Sequence, residues 1–272
     1  MAVAMETDHY ENFPVASILM PPRLRRPVGL IYRFAREADD FADEGDLQPA
    51  QRLELLDSFS RELDRIEAGQ APEIAWFSHL AAIIREHHLP IQLFRDLLSA
   101  FSQDVVKARY ADYDDVLDYC RRSANPVGRL LLVLYGAATS RNNQWSDAIC
   151  SSLQLINFWQ DVAIDYRKDR IYFPQDEMAQ HGVSESQIAH AETNGLWREF
   201  MSFQVQRTRQ FLHSGAPLGR ELKGQLGLEM RMIIAGGDRI LSKIMNADYD
   251  VFRRRPVLKA HDWVLMLAKS AF

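Results

Sequence analysis

Two pairs of aspartates, each with a spacing of four residues, are the residues of this chain best suited to hold a metal ion. The first pair is Asp39 and Asp43, and the second pair is Asp161 and Asp165. Both pairs lie in segments with helical periodicity, and side chains four residues apart point to the same side of a helix. Carboxylate pairs bind Mg²⁺, which in turn binds phosphate groups. The sequence therefore indicates an enzyme that acts on a phosphate-bearing substrate.

The first pair belongs to a polar stripe on its helix. At about 100° per residue, Tyr32 and Arg36 fall on the same face as the pair. Asp40 and Glu44 fall outside this face, so we expect them to be peripheral. Taken alone, this pair fits an acidic helix end that is exposed to solvent equally well.

The second pair continues a stripe that begins with Gln154 and Asn157, and the four side chains lie within about 80° of one another. The residues between them are mostly large and apolar. A core helix would not bury two aspartates without partners, which makes a bound metal ion the simplest explanation. Because each pair also has an arginine nearby, Arg36 or Arg170, the two pairs together favour a phosphate site with bridging metal ions.

The composition is that of a globular protein with a large core. The chain has 272 residues, 47% of them hydrophobic and 25% charged, with a net charge of −5. This charge balance offers no basic surface for nucleic acid. The two cysteines form no CxxC motif and are expected to be buried free thiols. No secretory signal is visible, and the longest apolar run is far below the roughly 20 residues of a membrane span. We therefore expect a cytoplasmic protein, either free or peripheral to the inner membrane face.

The hydrophobic periodicity predicts one all-helical domain over residues 1–272, and no segment shows a convincing alternating strand pattern. Pro174 stops a helix, which makes residues 170–182 the predicted loop. Pro27 and Pro90 suit first helical turns, and Gly45 suits a helix end. Ser146 or Asp147 is the predicted cap of the helix that carries the second pair. The predicted helices are 27–44, 49–68, 74–87, 90–107, 113–122, 126–139, 145–166, 193–213, 218–245 and 256–270.

Both motifs resemble those of the squalene/phytoene synthase family, and the resemblance covers nearly the whole chain. The first motif of that family has the spacing DxxxD, often after a Tyr and an Arg. The second reads QxxNxxxDxxxD and is followed by RxYxP, which this chain matches from Gln154 to Pro174. The resemblance implies an all-α class I isoprenoid synthase fold around a central cavity. The two motifs would face each other there and hold two or three Mg²⁺ ions and a diphosphate.

Three stretches, residues 11–17, 123–129 and 157–162, resemble the hydroxysqualene synthase branch of that family. This branch implies a carbon–oxygen lyase that removes diphosphate from presqualene diphosphate and adds water, without NADPH. Arg122 and Gln160 stand where many condensing members have Tyr and Arg. The alternative remains a condensing prenyltransferase that makes presqualene diphosphate, squalene or phytoene from farnesyl or geranylgeranyl diphosphate. A non-catalytic helical partner protein is the third hypothesis.

The resemblance also implies roles for single residues. Tyr32, Arg36, Gln154 and Asn157 are the predicted catalytic residues. The predicted metal ligands are Asp39, Asp43, Asp161, Asp165 and Asn157. The predicted substrate-binding residues are Arg36, Arg170, Tyr249, Phe13 and Phe158.

For several other residues the sequence leaves more than one interpretation open. Tyr249 and the run Arg253–Arg255 resemble a family segment near the diphosphate, but a basic surface cluster fits equally well. The water that would end the reaction has three candidate partners, Gln154, Asn125 and Arg122. The candidate cavity-lining residues are Phe13, Phe34, Leu131, Leu134, Phe158 and Trp159, each of which could also be ordinary core.

The partners follow from the same resemblance. The expected substrate is presqualene diphosphate, and nucleic acid is not expected. Since substrate and product are greasy, a weak contact with a membrane surface is compatible with the sequence. Direct transfer from a partner presqualene diphosphate synthase is compatible as well. The segment 263–269 could touch lipid or form the last core helix.

Overall fold

The computed structural model describes residues 20–263 and residue 266, and helices dominate this part of the chain. The all-α class predicted from the sequence is confirmed. The described residues form twelve helices and two short strands: α1 Pro22–Asp43, α2 Pro49–Glu67, α3 Phe77–His87, α4 Ile91–Val106, β1 Arg109–Tyr110, α5 Tyr113–Ser123, α6 Asn125–Leu134, α7 Ser140–Arg167, β2 Ile171–Pro174, α8 Gln175–Gln180, α9 Glu185–Ala189, α10 Gly195–Ser214, α11 Leu218–Glu221 and α12 Gly224–Asn246.

Two hydrophobic clusters stabilise the helices. The first, which we call the N-terminal core, is built mainly by α1 to α4 around Phe34, whose ring lies 5.1 Å from that of Phe94. The second, the C-terminal core, is built mainly by α7, α10 and α12 around Trp159, which stacks on Phe173 at 4.6 Å. Helix α6 contributes to both clusters. The two aspartate pairs therefore lie on helices that belong to different cores.

Helix α7, which carries the second pair, begins earlier than its sequence predicts. Thr139 caps it, because its hydroxyl accepts a hydrogen bond from the backbone N–H of Asn142 at 3.1 Å. The predicted cap at Ser146 or Asp147 is wrong. Ser146 is buried in the protein, and Asp147 forms an ion pair with Arg129. Tertiary packing thus extends the helix by two turns beyond its apolar stretch.

The prolines and glycines of the sequence predict some helix ends correctly and others incorrectly. Helix α1 begins at Pro22, so the predicted start at Pro27 is wrong, and the helix tolerates this second proline close to its first turn. Pro90 directly precedes α4, and Gly45 follows α1 with a φ of 72°, as predicted. The predicted helix 218–245 is interrupted before Gly224, whose φ is 65°.

The segment after α7 is not the loop that Pro174 suggested. Residues Ile171–Pro174 form β2, which pairs in parallel with β1, and the N–H of Ile171 donates to the carbonyl of Ala108 at 3.0 Å. Helix α8 starts directly after Pro174. Proline lacks an N–H, but the residue that precedes a helix has no need of one. The two strands have two and four residues, and all four residues of β2 are buried, so no alternating pattern reveals them in the sequence.

Some predictions lie at the edge of the described residues. Phe13 and residues 11–17 lie outside them, and the predicted helix 256–270 is described only in part. Among the described residues, no helix combines the length and the apolar composition that crossing a bilayer requires.

Candidate active site

The two aspartate pairs meet where α1 and α7 end. The Asp43 carboxylate accepts a hydrogen bond from the Lys168 ammonium at 3.0 Å and pairs with the Arg170 guanidinium at 2.5 Å. Both cations directly follow the helix that carries Asp161 and Asp165. These contacts therefore bring the first motif to the end of the second, as expected if both serve one site.

Arg36 forms ion pairs with two carboxylates on the α1 side of this cleft. Its guanidinium lies 3.4 Å from the Asp39 carboxylate and 2.6 Å from that of Asp40. Tyr32 lies half-buried one turn earlier, whereas Glu44 is exposed at the end of the helix. Asp40, which we expected to be peripheral, is thus the nearer anionic partner of Arg36.

Two carboxylates of the cleft, Asp39 and Asp165, have raised pKa values, because nearby cations do not fully balance the negative charge there. The Asp39 side chain is 39% exposed, but protein atoms surround it on most sides and displace water from around its carboxylate. This loss of hydration, together with the negative charge of Asp43, raises the pKa of Asp39 to about 6. Burial and the Asp161 charge raise the pKa of Asp165 to about 8. Burial alone would raise the pKa of Asp43, but Arg170 and Lys168 hold it below its usual range.

Arg255 brings a further positive charge to the cleft, whereas the sequence left open whether this residue lies near the site or on the surface. Its guanidinium binds both carboxylate oxygens of Asp161, at 2.5 and 3.1 Å, whereas Arg253 and Arg254 are exposed. Next to it, the buried Gln160 side chain donates a hydrogen bond to the carbonyl of Pro256. Gln160 thereby holds the C-terminal segment that carries Arg255 against α7.

Tyr249 lies elsewhere in the same C-terminal segment. Its backbone has a φ of 61°, and its carbonyl accepts a hydrogen bond from the Trp197 indole at 3.0 Å. The described contacts place this tyrosine against the C-terminal core and not against the aspartates.

An apolar cavity of about 460 Å³ opens between the α5–α6 junction, α7 and α12. The predicted catalytic residues Gln154 and Asn157 lie in its wall, on the α7 face that leads to Asp161. At Gly237, an added Cβ would lie 3.1 Å from the Ile156 side chain, so a larger residue would narrow the cavity. Most other lining residues are aliphatic: Leu131, Leu132, Leu153, Ile156, Leu226, Ile233 and Ile240.

Of the predicted lining residues, Leu131 faces this cavity. Phe34 and Leu134 are buried in the N-terminal core, and Trp159 in the C-terminal core. Phe158 is also buried there, and its ring stacks on Tyr172 with centroids 3.7 Å apart.

Two of the three candidate partners for a reacting water are already engaged. The guanidinium of Arg122 donates to Ser99, Gln103 and Asp118. The amide oxygen of Asn125 accepts a hydrogen bond from Ser151 at 2.8 Å. Neither residue lines the cavity. Gln154 is the candidate that remains.

Asp104, at the end of α4, is a buried acid next to the cleft that no sequence motif indicated. Its carboxylate accepts hydrogen bonds from the hydroxyls of Tyr119, at 2.5 Å, and Tyr172, at 3.4 Å. Its carbonyl accepts one from Arg170 at 3.0 Å. Burial raises the pKa of Asp104 to about 7. No second acid lies one turn away on α4, so no spacing signal singled it out.

Asp104 should make the stability of the protein depend on pH. Between pH 3.8, its ordinary pKa, and about 7, the folded chain retains a proton that the unfolded chain releases. The contribution of this group to the free energy of unfolding therefore decreases as pH rises through this window. We expect Asp104→Asn to lack this decrease, so that its stability improves relative to wild type between pH 4 and 7 in urea unfolding. Asp46→Asn, at an exposed position, should follow wild type throughout; an Asp104→Asn curve parallel to wild type would contradict the assignment.

The cleft fits a metal ion that shares its coordination with a ligand. Among residues 20–263 and 266, no three His, Cys, Asp or Glu side chains converge closely enough to hold an ion by themselves. Mg²⁺ sites in proteins commonly use one or two carboxylates, with phosphate oxygens and water as the remaining ligands. The raised pKa values of Asp39 and Asp165 show that added positive charge would be favourable here.

Two similar proteins of known name are a hydroxysqualene synthase and a phytoene synthase. The chain is 38% identical over 246 residues to a hydroxysqualene synthase of Rhodopseudomonas palustris, and the match covers 89% of this chain and 82% of that protein. It is 30% identical to a 15-cis-phytoene synthase of Synechococcus elongatus, over 90% of this chain and 83% of that one.

The structure is similar to that of squalene synthase HpnC from Alicyclobacillus acidocaldarius, with 33% identity and a TM-score of 0.81. The match covers 89% of this chain and 90% of the other, which confirms the isoprenoid synthase fold. Residues 7–262 match the squalene/phytoene synthase family as a whole. The chain therefore belongs to the squalene/phytoene synthase family.

Proposed function

We propose that this protein is a hydroxysqualene synthase, which removes diphosphate from presqualene diphosphate and captures the rearranged cation with water. The observation that carries the proposal is the placement of the charged cleft on the same face of α7 as Gln154 and Asn157 in the wall of the apolar cavity. Such a site accommodates a diphosphate at one end and hydrocarbon chains at the other. The identity to relatives named hydroxysqualene synthase supports the choice within the family.

The charged residues of the cleft would drive the first step. Asp39, Asp43, Asp161 and Asp165, with Asn157 beside them, would hold Mg²⁺, which supplies positive charge to the departing diphosphate. Arg36 and Arg170 would bind the diphosphate oxygens with their planar guanidinium groups. Tyr32, on the same face of α1, would donate a further hydrogen bond.

The cavity would control the fate of the cation once diphosphate has left. The aliphatic side chains that make up most of its wall offer the cation no nucleophile and exclude bulk water, which would otherwise trap the cation before it rearranges. The few polar side chains in the wall then decide where a single water can bind. The step needs no reductant, so NADPH is not part of this proposal.

A condensing prenyltransferase is the second candidate function, because the chain is also 30% identical to a phytoene synthase. Two positions speak against it. Arg122, which stands where many condensing members have a Tyr, is held by three hydrogen-bond partners away from the cavity. Gln160 replaces an arginine and binds the carbonyl of Pro256 instead of projecting into the cleft.

Incubation of the protein with Mg²⁺ and either presqualene diphosphate or farnesyl diphosphate, each with and without NADPH, tests the proposal. We expect hydroxysqualene from presqualene diphosphate alone, independent of NADPH. Consumption of farnesyl diphosphate would support the condensing function instead. If no prenyl diphosphate reacts, both candidates are wrong. The same assay, repeated with lipid vesicles or with a presqualene diphosphate synthase, tests the predicted membrane contact and partner.

A further inference from the structure

The wall of the apolar cavity contains a hydroxyl that no other group of the described protein uses. Ser123 is the last residue of α5 and lines the cavity. Its Oγ is buried, and it has no hydrogen-bond partner among residues 20–263 and 266. A buried hydroxyl without a partner is costly, because it gives up its hydrogen bonds to water. Such a group is satisfied when a water or a ligand binds next to it.

The packing of α5 and α6 on α7 places Ser123 opposite Gln154. These segments run antiparallel to α7, since Asn125 binds Ser151 at 2.8 Å and the ring of Tyr119 lies 6.0 Å from that of Phe158. Interpolation between these two contacts puts Ser123 at about the height of Gln154 on the facing helix. Both side chains line the same cavity.

Gln154 is equally available. Its side chain makes no hydrogen bond within the part of the chain that the structure describes, although its amide can both donate and accept. Of the other polar groups of the cavity, Asn157 is a proposed metal ligand, and Tyr135 lies just beyond the end of α6. Ser146 and Cys150 are each other's neighbours at 4.0 Å, and Glu229 belongs to the opposite wall on α12.

From this juxtaposition we propose that the Ser123 hydroxyl and the Gln154 amide together bind the water that captures the carbocation, an inference that rests on the proposed function. A water in an apolar cavity is retained when it has two or more polar partners. Seven residues of α7 separate Gln154 from Asp161, which corresponds to about 10 Å along the helix. The water is therefore kept at a distance from the leaving diphosphate, and the cation meets it only after rearrangement.

The chemistry of this step is balanced by groups already present. An oxygen lone pair of the water forms the new C–O bond to the cation. The resulting oxonium releases one proton, which water relays to the diphosphate set free in the first step. Without the bound water, the cation instead loses a proton from a neighbouring carbon to the same diphosphate, which yields a hydrocarbon without a hydroxyl group.

Ser123→Ala tests the inference with presqualene diphosphate and Mg²⁺ in ¹⁸O-labelled water. We expect diphosphate release within about threefold of wild type, while the labelled alcohol falls relative to hydrocarbon products by roughly tenfold, as expected when a hydrogen bond to a reacting water is lost. Ser123→Thr retains the hydroxyl and should restore the alcohol. Ser152→Ala is the matched control, because Ser152 is also buried with an unpartnered Oγ but does not line the cavity.

Each remaining outcome is decisive. If Ser123→Ala keeps the wild-type ratio of alcohol to hydrocarbon, whether or not total turnover changes, the serine does not hold the water and the inference is wrong. If Ser152→Ala shifts the ratio as strongly as Ser123→Ala, the effect is a general consequence of losing a buried hydroxyl, and the inference is again wrong. If wild-type protein forms no alcohol from presqualene diphosphate, the proposed function itself fails, and the inference fails with it.

Discussion

Replacement of Asp161 by Asn is expected to lower turnover by about a hundredfold to a thousandfold while the protein remains folded. The substitution keeps the size of the side chain and removes its charge. It thereby removes one proposed metal ligand and the anionic partner of Arg255 at the cleft. Steady-state kinetics with presqualene diphosphate at saturating Mg²⁺, together with circular dichroism of the purified variant, measure both parts of this expectation.

Asp147→Asn is the matched control for this experiment. Asp147 lies on the same helix but away from the cleft. Its two carboxylate oxygens accept hydrogen bonds from Nε and Nη2 of Arg129, at 2.9 and 2.5 Å. It should therefore reproduce the loss of an arginine–carboxylate pair on α7 without the loss of activity. Near-normal turnover of Asp161→Asn would show that this aspartate does not contribute to metal binding.

Replacement of Trp159 by Ala should destabilise the protein by about 3 to 5 kcal/mol, the range observed for large aromatic residues in protein cores. Trp159 is completely buried and stacks on Phe173 with an interplanar angle of 1°. Its indole N–H also donates to the buried hydroxyl of Thr208 at 2.8 Å, which the substitution would leave without a partner. Urea unfolding followed by circular dichroism measures the change in the free energy of unfolding.

Trp145→Ala provides the comparison on the same helix. Trp145 is only partly buried, and Arg141 lies over its ring at 5.1 Å, so the expected loss is about 1 kcal/mol. Equal losses for the two variants would mean that the stack of Trp159 on Phe173 is not a centre of the C-terminal core.

Periodicity made the fold class and the location of the cleft predictable. A helical repeat identifies which residues share a face, and so the sequence alone placed Arg36 beside Asp39, and Gln154 and Asn157 in line with Asp161. Both stripes lie on helices in the structure, and both motifs come together. The order of the second motif was specific enough to indicate the family.

Contacts between distant segments could not be predicted in this way. Arg255 binds Asp161 across 94 positions of sequence, and Asp104 of α4 meets Tyr119 of α5 and Tyr172 of β2. No periodicity relates such residues, because tertiary packing alone brings them together. The unpartnered state of Ser123 is likewise a property of the packed structure, since a serine at a helix end commonly finds a local backbone partner.

Local rules also failed where packing outweighed them. Helix α7 extends back to Ser140 across polar residues, because Asn142 and Ser146 are buried against neighbouring elements. By local rules Pro174 ends helical structure, but it serves equally well as the residue before a new helix. The first error concerns a helix boundary, and the second concerns the type of a short segment, which forms β2 and α8 instead of a loop.

The division of the protein into an N-terminal and a C-terminal core has a consequence for its response to ionic strength. At the mouth of the cleft the two halves are joined through Asp43, which contacts Lys168 and Arg170, and 42% of the Lys168 side chain is exposed. Dissolved ions screen the more exposed Lys168 pair, whereas they screen the Arg170 pair much less, because only 13% of the Arg170 side chain and 20% of the Asp43 side chain are exposed. Concentrated salt should therefore weaken the Lys168 contact while the Arg170 contact and both cores persist, so that substrate affinity declines modestly in salt while the melting temperature stays nearly constant.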